Sequence, residues 1–152
     1  MAEEAKAYRI NHGLAEEVWL MQPDLVIAGS FSARATVDML RRLGVPVVVM
    51  QPAYGLGDIP DRLRQMGVAL GREEAAERAA TAFLARLELL RDEVARHPRA
   101  ALYYANGYTS GNGTLANAVV EAAGFRTLGR ALGVAGTAVV PLESLLAARP
   151  DV

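Results

Sequence analysis

The sequence has no cysteine and only two histidines, and these shortages exclude several kinds of site. Without cysteine, the chain forms no disulfide and holds no thiolate-bound metal. His12 and His97 stand far apart and do not have the close spacing of zinc ligands. The sequence therefore predicts no metal bound directly by protein side chains.

Long apolar runs and an excess of one charge are also missing. No run approaches the ~20 apolar residues that cross a bilayer, and residues 1–6 lack the apolar core of a signal peptide. Either the chain is cytosolic or its targeting segment lies outside these residues. The 16 basic and 17 acidic residues nearly cancel, so no nucleic-acid partner is indicated. A 52% hydrophobic content indicates a globular chain.

Two segments of the chain nearly repeat each other. Residues 142–152 align with residues 15–25, and each copy reads as a short amphipathic helix, then Pro-Asp, then the start of an apolar strand. The first copy continues through residues 26–29, whereas the second reaches Val152. The repeat predicts two related units, with the second one incomplete.

The pattern of the first half predicts alternating helices and strands. A short helix over Leu14–Met21 precedes a strand over Leu25–Ala28, whose continuous apolar run is typical of burial on both faces. Ser32 is the expected N-cap of a helix over Ala33–Leu43, and a second buried, parallel strand follows over Val45–Met50. These elements form a βαβ unit.

The middle and the second half continue the alternation. Asp58 is expected to cap a helix over residues 59–70, and residues 73–97, free of Gly and Pro, predict one helix of about 35 Å with His97 in its last turn. The remaining expectations are a strand over 99–106, a loop over 107–114, a helix over 115–123, a loop over 125–137 and a helix over 141–148. This order predicts an α/β fold.

Candidate ligand groups follow the predicted strands, where open α/β sheets bind ligands. They are aromatic, hydroxyl and amide groups with little charge, which suits a bulky, partly apolar ligand. The candidates are Ser30, Phe31, Tyr54, Tyr108 and Ser110. Ordinary turn chemistry is the alternative explanation for these residues. Residues 111–114 favour a capping turn over an anion site, because no Walker lysine follows them.

Several segments, in order, resemble one protein family. They are Asn11 to Glu17, Gln22 to Ala28, Arg42 to Val49, the helix over 73–97, Tyr108 to Gly111, and Glu143 to Val152. Together they resemble the periplasmic substrate-binding proteins of ABC importers, in the iron-siderophore, haem and vitamin B12 class. The resemblance implies an α/β fold of two Rossmann-like lobes, the second incomplete, bridged by one long helix. It divides the chain into an N-terminal lobe (1–72) that lacks its first strand, a bridging helix (73–97) and a partial C-terminal lobe (98–152).

The resemblance also implies a function. The chain would bind a metal chelate (a ferric siderophore, haem or cobalamin) in a cleft between the lobes without converting it, and it would dock on an ABC permease in the periplasm. Tyr108 is the expected stacking or hydrogen-bonding group. Arg34 is available to a ligand carboxylate, with an ordinary solvated surface position as the alternative. The family's docking acid falls near Arg34, so either another acid such as Asp38 serves or docking differs.

Two further expectations accompany this hypothesis. An incomplete second lobe leaves apolar sheet and an unpaired edge exposed, so we expect copies of the chain to self-associate. The alternative function is an intracellular α/β enzyme or nucleotide-binding domain. That alternative predicts a phosphate loop and a charged pocket residue, and neither stands out in the sequence.

Overall fold

A computed structural model describes residues 2–91 and 97–152. The chain divides into two compact units, Met1–Pro52 and Ala53–Val152. The predicted lobe boundaries at residues 72 and 97 remain predictions. In the described residues, no helix has both the length and the hydropathy of a membrane-spanning segment.

The first unit contains a parallel βαβ arrangement, as predicted. Its elements are α1 (Ala2–Ala5), α2 (Ala15–Leu20), β1 (Val26–Gly29), α3 (Arg34–Arg42) and β2 (Val47–Met50). The two strands pair in parallel, from Val26 opposite Val47 to Gly29 opposite Met50. Helix α3 contacts α2 and β2. Among the residues of this unit that the structure describes, the buried apolar side chains are Ala15, Val37 and Leu40.

Two details of the first unit differ from the predictions. The strands are not buried on both faces: Ile27 is exposed and all of β2 is only half-buried. A two-stranded sheet with so few helices has too little surrounding material to cover both faces. Ser32 is not the N-cap of α3, a position that Ala33 takes. The Ser32 hydroxyl instead accepts the Gly29 N–H at 3.1 Å and closes the turn after β1.

The second unit holds the remaining elements. They are α4 (Ile59–Leu70), α5 (Glu73–Arg91), β3 (Arg99–Ala100), β4 (Tyr108–Ser110), α6 (Leu115–Ala122), β5 (Arg126–Thr127), α7 (Leu128–Ala131), β6 (Thr137–Val139) and α8 (Leu142–Ala147), with 3-10 turns at Leu56–Asp58 and Ala105–Gly107. Strand β3 pairs in parallel with β5, and β4 pairs antiparallel with β6.

Helices α4 and α5 follow each other in the chain and pack against each other. Helix α4 ends at Gly71, whose φ of 61° is left-handed, as expected of a helix-ending glycine. The Arg64 guanidinium donates to the Glu77 carboxylate at 2.7 Å and lowers its pKa. Asp58 occupies the N-cap position of α4, but its carboxylate accepts the N–H groups of Tyr54 and Gly55 rather than those of the helix. The predicted side-chain cap is therefore wrong.

The predicted bridging helix over residues 73–97 is described only in part. Helix α5 runs over Glu73–Arg91, and residues 92–96 lie outside the described residues. His97 is not helical, and its ring Nδ1 lies 3.0 Å from the Gly124 carbonyl oxygen. The prediction that His97 lies in the last turn of a helix is therefore wrong. Its ring contacts the Gly124 carbonyl oxygen instead.

The region after His97 also departs from the predicted pattern. The strand expected over 99–106 is limited to β3, and Tyr108–Ser110 is strand β4 instead of part of a loop. Asn106 and Gly107 both have positive φ, so the chain turns sharply there and the Tyr104 N–H donates to the Tyr108 carbonyl oxygen at 2.8 Å. The predicted loop over 125–137 contains β5, α7 and the first residue of β6.

The repeat found in the sequence is also a repeat in structure. Helices α2 and α8 are each six residues long, and each ends before a residue with a φ of 50°, Gln22 or Arg149, that precedes Pro-Asp. In the second copy, Ala101 N–H donates to the Val152 carbonyl oxygen at 2.9 Å. The Asp151 carboxylate accepts the Arg99 N–H at 2.8 Å, and this bond lowers its pKa. The C-terminal residues thus hydrogen-bond to the chain at β3 and just after it.

Candidate functional site

Three partly exposed tyrosines surround one turn of the second unit. Tyr103, Tyr104 and Tyr108 are 52%, 40% and 43% exposed. The Tyr104–Tyr108 backbone hydrogen bond closes the turn, and a Cβ placed on Gly107 would lie 4.0 Å from the Tyr103 hydroxyl. We call residues 103–108 the tyrosine turn. Its rings offer large apolar faces with polar tips, which suits recognition of a bulky, partly apolar ligand.

Sequence reasoning selected Tyr108 and missed the other two tyrosines of this turn. Tyr103 and Tyr104 were assigned to a strand, where half of the side chains would be buried. A usable signal was present, because three of the five tyrosines in the chain fall within six residues. Tyrosine is enriched in recognition loops as well as in strands, so this cluster also indicates a recognition surface.

The side chains behind the tyrosine turn are buried and hydrogen-bonded. Ser110 is buried, and its hydroxyl lies 3.4 Å from the Tyr104 hydroxyl. Thr109 is fully buried and donates to the Leu102 carbonyl oxygen at 2.6 Å. These bonds hold the chain on both sides of the turn. Direct contact between Ser110 and a ligand remains a prediction.

The polar turn over residues 111–114 is a helix cap. The Thr114 hydroxyl donates to the Gly111 carbonyl oxygen at 2.8 Å and accepts the Asn117 N–H at 3.2 Å. One turn further along α6, the buried Asn117 amide oxygen accepts the Thr127 hydroxyl proton. The interpretation of this segment as a capping turn is confirmed.

The other predicted site residues lie at the surface of their own units. In the first unit, Ser30 and Phe31 form the turn after β1 and Arg34 begins α3; all three are exposed, with Phe31 84% exposed. The Ser30 N–H donates to the Met50 carbonyl oxygen at 3.0 Å, which ties this turn to the end of β2. In the second unit, Tyr54 is exposed beside its Asp58 contact. A single ligand site that uses both groups remains a prediction.

The two histidines make local contacts. His12 contacts the Glu17 carboxylate through its backbone N–H at 2.7 Å and its ring Nδ1 at 3.2 Å, and the backbone bond is the main cause of the lowered pKa of Glu17. His97 contacts Gly124. Across residues 2–91 and 97–152, no three His, Asp or Glu side chains gather closely enough to hold a metal ion.

A family model described as "periplasmic binding protein" matches residues 9–152, nearly the whole chain. The chain belongs to the periplasmic binding protein family. The predicted family is thereby confirmed. Residues 9–152 of this periplasmic binding protein include all six predicted site residues.

Individual relatives agree with this assignment. A cobalamin-binding protein of Halobacterium salinarum is 29% identical over 113 residues, which are 72% of this chain and 31% of the relative. The periplasmic heme-binding protein RhuT from Roseiflexus sp. RS-1, in apo form, is 25% identical with a TM-score of 0.81. A possible iron-binding, periplasmic solute-binding protein from Staphylococcus epidermidis is 22% identical with a TM-score of 0.79.

These matches cover most of this chain but only part of each relative. The chain is covered to 91% by RhuT and to 95% by the Staphylococcus epidermidis protein, whereas it spans only 56% and 57% of those chains. It spans about a third of the Halobacterium salinarum relative. The predicted α/β fold class is confirmed by this likeness.

Proposed function

We propose that this periplasmic binding protein chain is all or part of the solute-binding component of an ABC importer. Its ligand is a metal chelate (a ferric siderophore, haem or cobalamin) that is bound and released unchanged. The family match over residues 9–152 carries this proposal. Support for the ligand class comes from relatives named as cobalamin-binding and heme-binding at 29% and 25% identity.

The proposed ligand-binding residues are those predicted from the sequence. They are Ser30, Phe31 and Arg34 in the first unit and Tyr54, Tyr108 and Ser110 in the second unit, together with Tyr103 and Tyr104 of the tyrosine turn. A metal chelate is large and partly apolar, so aromatic side chains with two χ angles give contact area at low entropic cost. Arg34 is exposed, and we propose that it meets a ligand carboxylate.

The proposal also covers the location of the protein, its partner and its lobe boundaries. The chain acts in the periplasm and delivers its ligand to an ABC permease. Its lobes divide at residues 72 and 97. The alternative of an intracellular enzyme or nucleotide-binding domain gains no support, because the one candidate phosphate turn is occupied by the Thr114 cap.

Replacing Tyr108 tests the ligand site. We expect Tyr108→Ala to weaken binding by about tenfold or more, since a central aromatic contact is worth about 2 kcal/mol. Haem, cyanocobalamin and a ferric siderophore are titrated separately and followed by absorption and tyrosine fluorescence. The matched control is Tyr8→Ala, because Tyr8 is exposed in the first unit and outside the site. Failure of all three ligands to bind, or equal loss in both variants, would contradict the proposal.

Self-association is proposed on the basis of exposed apolar side chains. The first unit exposes Ile10, Ile27 and Phe31, and Ile27 lies on an uncovered face of the sheet. We expect light scattering to show a mass above 16.2 kDa that rises with protein concentration. Ile27→Thr should reduce this mass, because it makes the uncovered face polar. A monomer at all concentrations up to millimolar would contradict self-association.

A further inference from the structure

An apolar groove runs along the second unit, apart from the tyrosine turn. It lies between helix α5, helix α6 and the 3-10 turn at Leu56–Asp58, and has a volume of about 590 Å³. Its lining residues are Leu56, Phe83, Arg86, Leu87, Leu90, Val119, Ala122 and Ala123. We call this feature the α5–α6 groove. Its volume lies within the range of small-molecule sites.

The walls of the α5–α6 groove are almost entirely hydrocarbon. Phe83 and Leu87 stand one turn apart on the same face of α5 and are half-buried, while Leu90 and Val119 remain about half exposed. Side chains of α5 and α6 thus line the groove, and water still reaches its walls. An aliphatic chain laid along it would remove this apolar surface from water.

One charged side chain, Arg86, interrupts the apolar lining. Several other arginines of this unit have acidic partners, among them Arg64 with Glu77, Arg78 with Glu74 and Arg130 with Glu121. Within residues 2–91 and 97–152, the exposed Arg86 guanidinium pairs with no carboxylate. The groove thus joins a continuous apolar wall to one uncompensated positive charge.

We propose that the α5–α6 groove binds a single-chain anionic amphiphile, whose aliphatic chain lies along Phe83, Leu87 and Val119 and whose carboxylate meets Arg86. The apolar wall accounts for the chain, and the unpaired guanidinium accounts for the charge of the headgroup. A neutral apolar ligand would leave Arg86 unpaired, and an inorganic anion would leave the wall uncovered. This site is independent of the proposed chelate site.

The proposal is tested by calorimetric titration with decanoate and decanol, both below the concentrations at which they form micelles or separate. Decanoate should bind at one site per chain. Arg86→Gln should weaken decanoate about threefold to fivefold and leave decanol unchanged, because an exposed charge pair contributes little. Arg78→Gln, which removes an arginine already paired with Glu74, is the control and should leave both ligands unchanged.

The apolar part of the proposal has its own matched pair. Leu87→Gln should weaken both ligands about tenfold, whereas Leu89→Gln should not, because Leu89 is 69% exposed on α5 and does not line the groove. Val119→Gln, at a half-exposed position, serves if Leu87→Gln lowers stability. Absence of saturable decanoate binding, or equal affinities in the groove and control variants, would overturn the proposal. So would decanoate binding that disappears at the protein concentrations where light scattering shows self-association, because a second copy would then cover the groove.

Discussion

Gly129→Ala is expected to disrupt the second unit. A Cβ at this position would overlap the Ser110 carbonyl oxygen and lie 2.8 Å from the Ser110 carbonyl carbon and 3.2 Å from the Gly111 Cα. All three are backbone atoms, so no side-chain rotation relieves the overlap, and α7 must move away from β4. We expect a loss of about 3 kcal/mol or more in the free energy of unfolding. Urea unfolding followed by circular dichroism and tyrosine fluorescence measures it.

Gly57→Ala is the control for this substitution. A Cβ at Gly57 meets no atom within 4 Å, and Gly57 is in the same unit. Its free energy of unfolding should change by about 0.5 kcal/mol or less. Ser110 and Tyr108 both lie in β4, two residues apart. A Gly129→Ala protein that remains folded should therefore also bind the chelate less tightly. Equal stability of the two glycine variants would show that α7 and β4 are not packed as the structure has them.

The close packing of Gly129 against Ser110 is a long-range contact that the sequence alone does not reveal. Gly71 is recognisable as a helix end because it follows an apolar helical pattern and precedes acidic residues. Gly129 stands in a stretch with two other glycines and has no such local signature. Its requirement comes from Ser110, 19 positions earlier in the chain, and only the folded structure brings these residues together.

The same distinction separates the elements that were predicted from those that were not. Helices α3, α4 and α6 and the parallel pair β1–β2 were predicted because each depends on a pattern within a few residues. Strand β4 was missed because its pairing with β6 joins Tyr108 to Val139, across three intervening helices or strands. A three-residue strand beside Gly107 reads as a loop until its partner is known.

The candidate site, like the fold, was predicted only in part from the sequence. Tyr108 was selected because it resembles a family position, and the structure places it in an exposed turn. Tyr103 and Tyr104 were missed because their exposure depends on the positive φ of Asn106, which turns the backbone and cannot be read from the tyrosines themselves. The family resemblance thus identified Tyr108, whereas Tyr103 and Tyr104 were recognised only from the backbone geometry of the turn.

Leu40→Ala is expected to have the largest effect on the first unit. Leu40 is 2% exposed, and among the described residues of Met1–Pro52 only Ala15 and Val37 join it as buried apolar side chains. Its removal leaves a cavity between α3 and its neighbours and should cost about 3 kcal/mol. A core of three side chains has little reserve, since whole domains are stable by only about 5–15 kcal/mol. We therefore expect this unit to lose its ordered packing at moderate urea.

Trp19 makes the effect measurable in the first unit alone. It is the single tryptophan of the chain and lies in α2, which contacts α3. Its fluorescence should change at a lower urea concentration in Leu40→Ala than in the parent protein. Leu43→Ala is the control, because Leu43 follows α3 and is 45% exposed, so its loss should cost about 0.5 kcal/mol or less. If both variants shifted the Trp19 transition equally, Leu40 would not be the centre of this core, and the uncovered sheet rather than α3 would limit the stability of the unit.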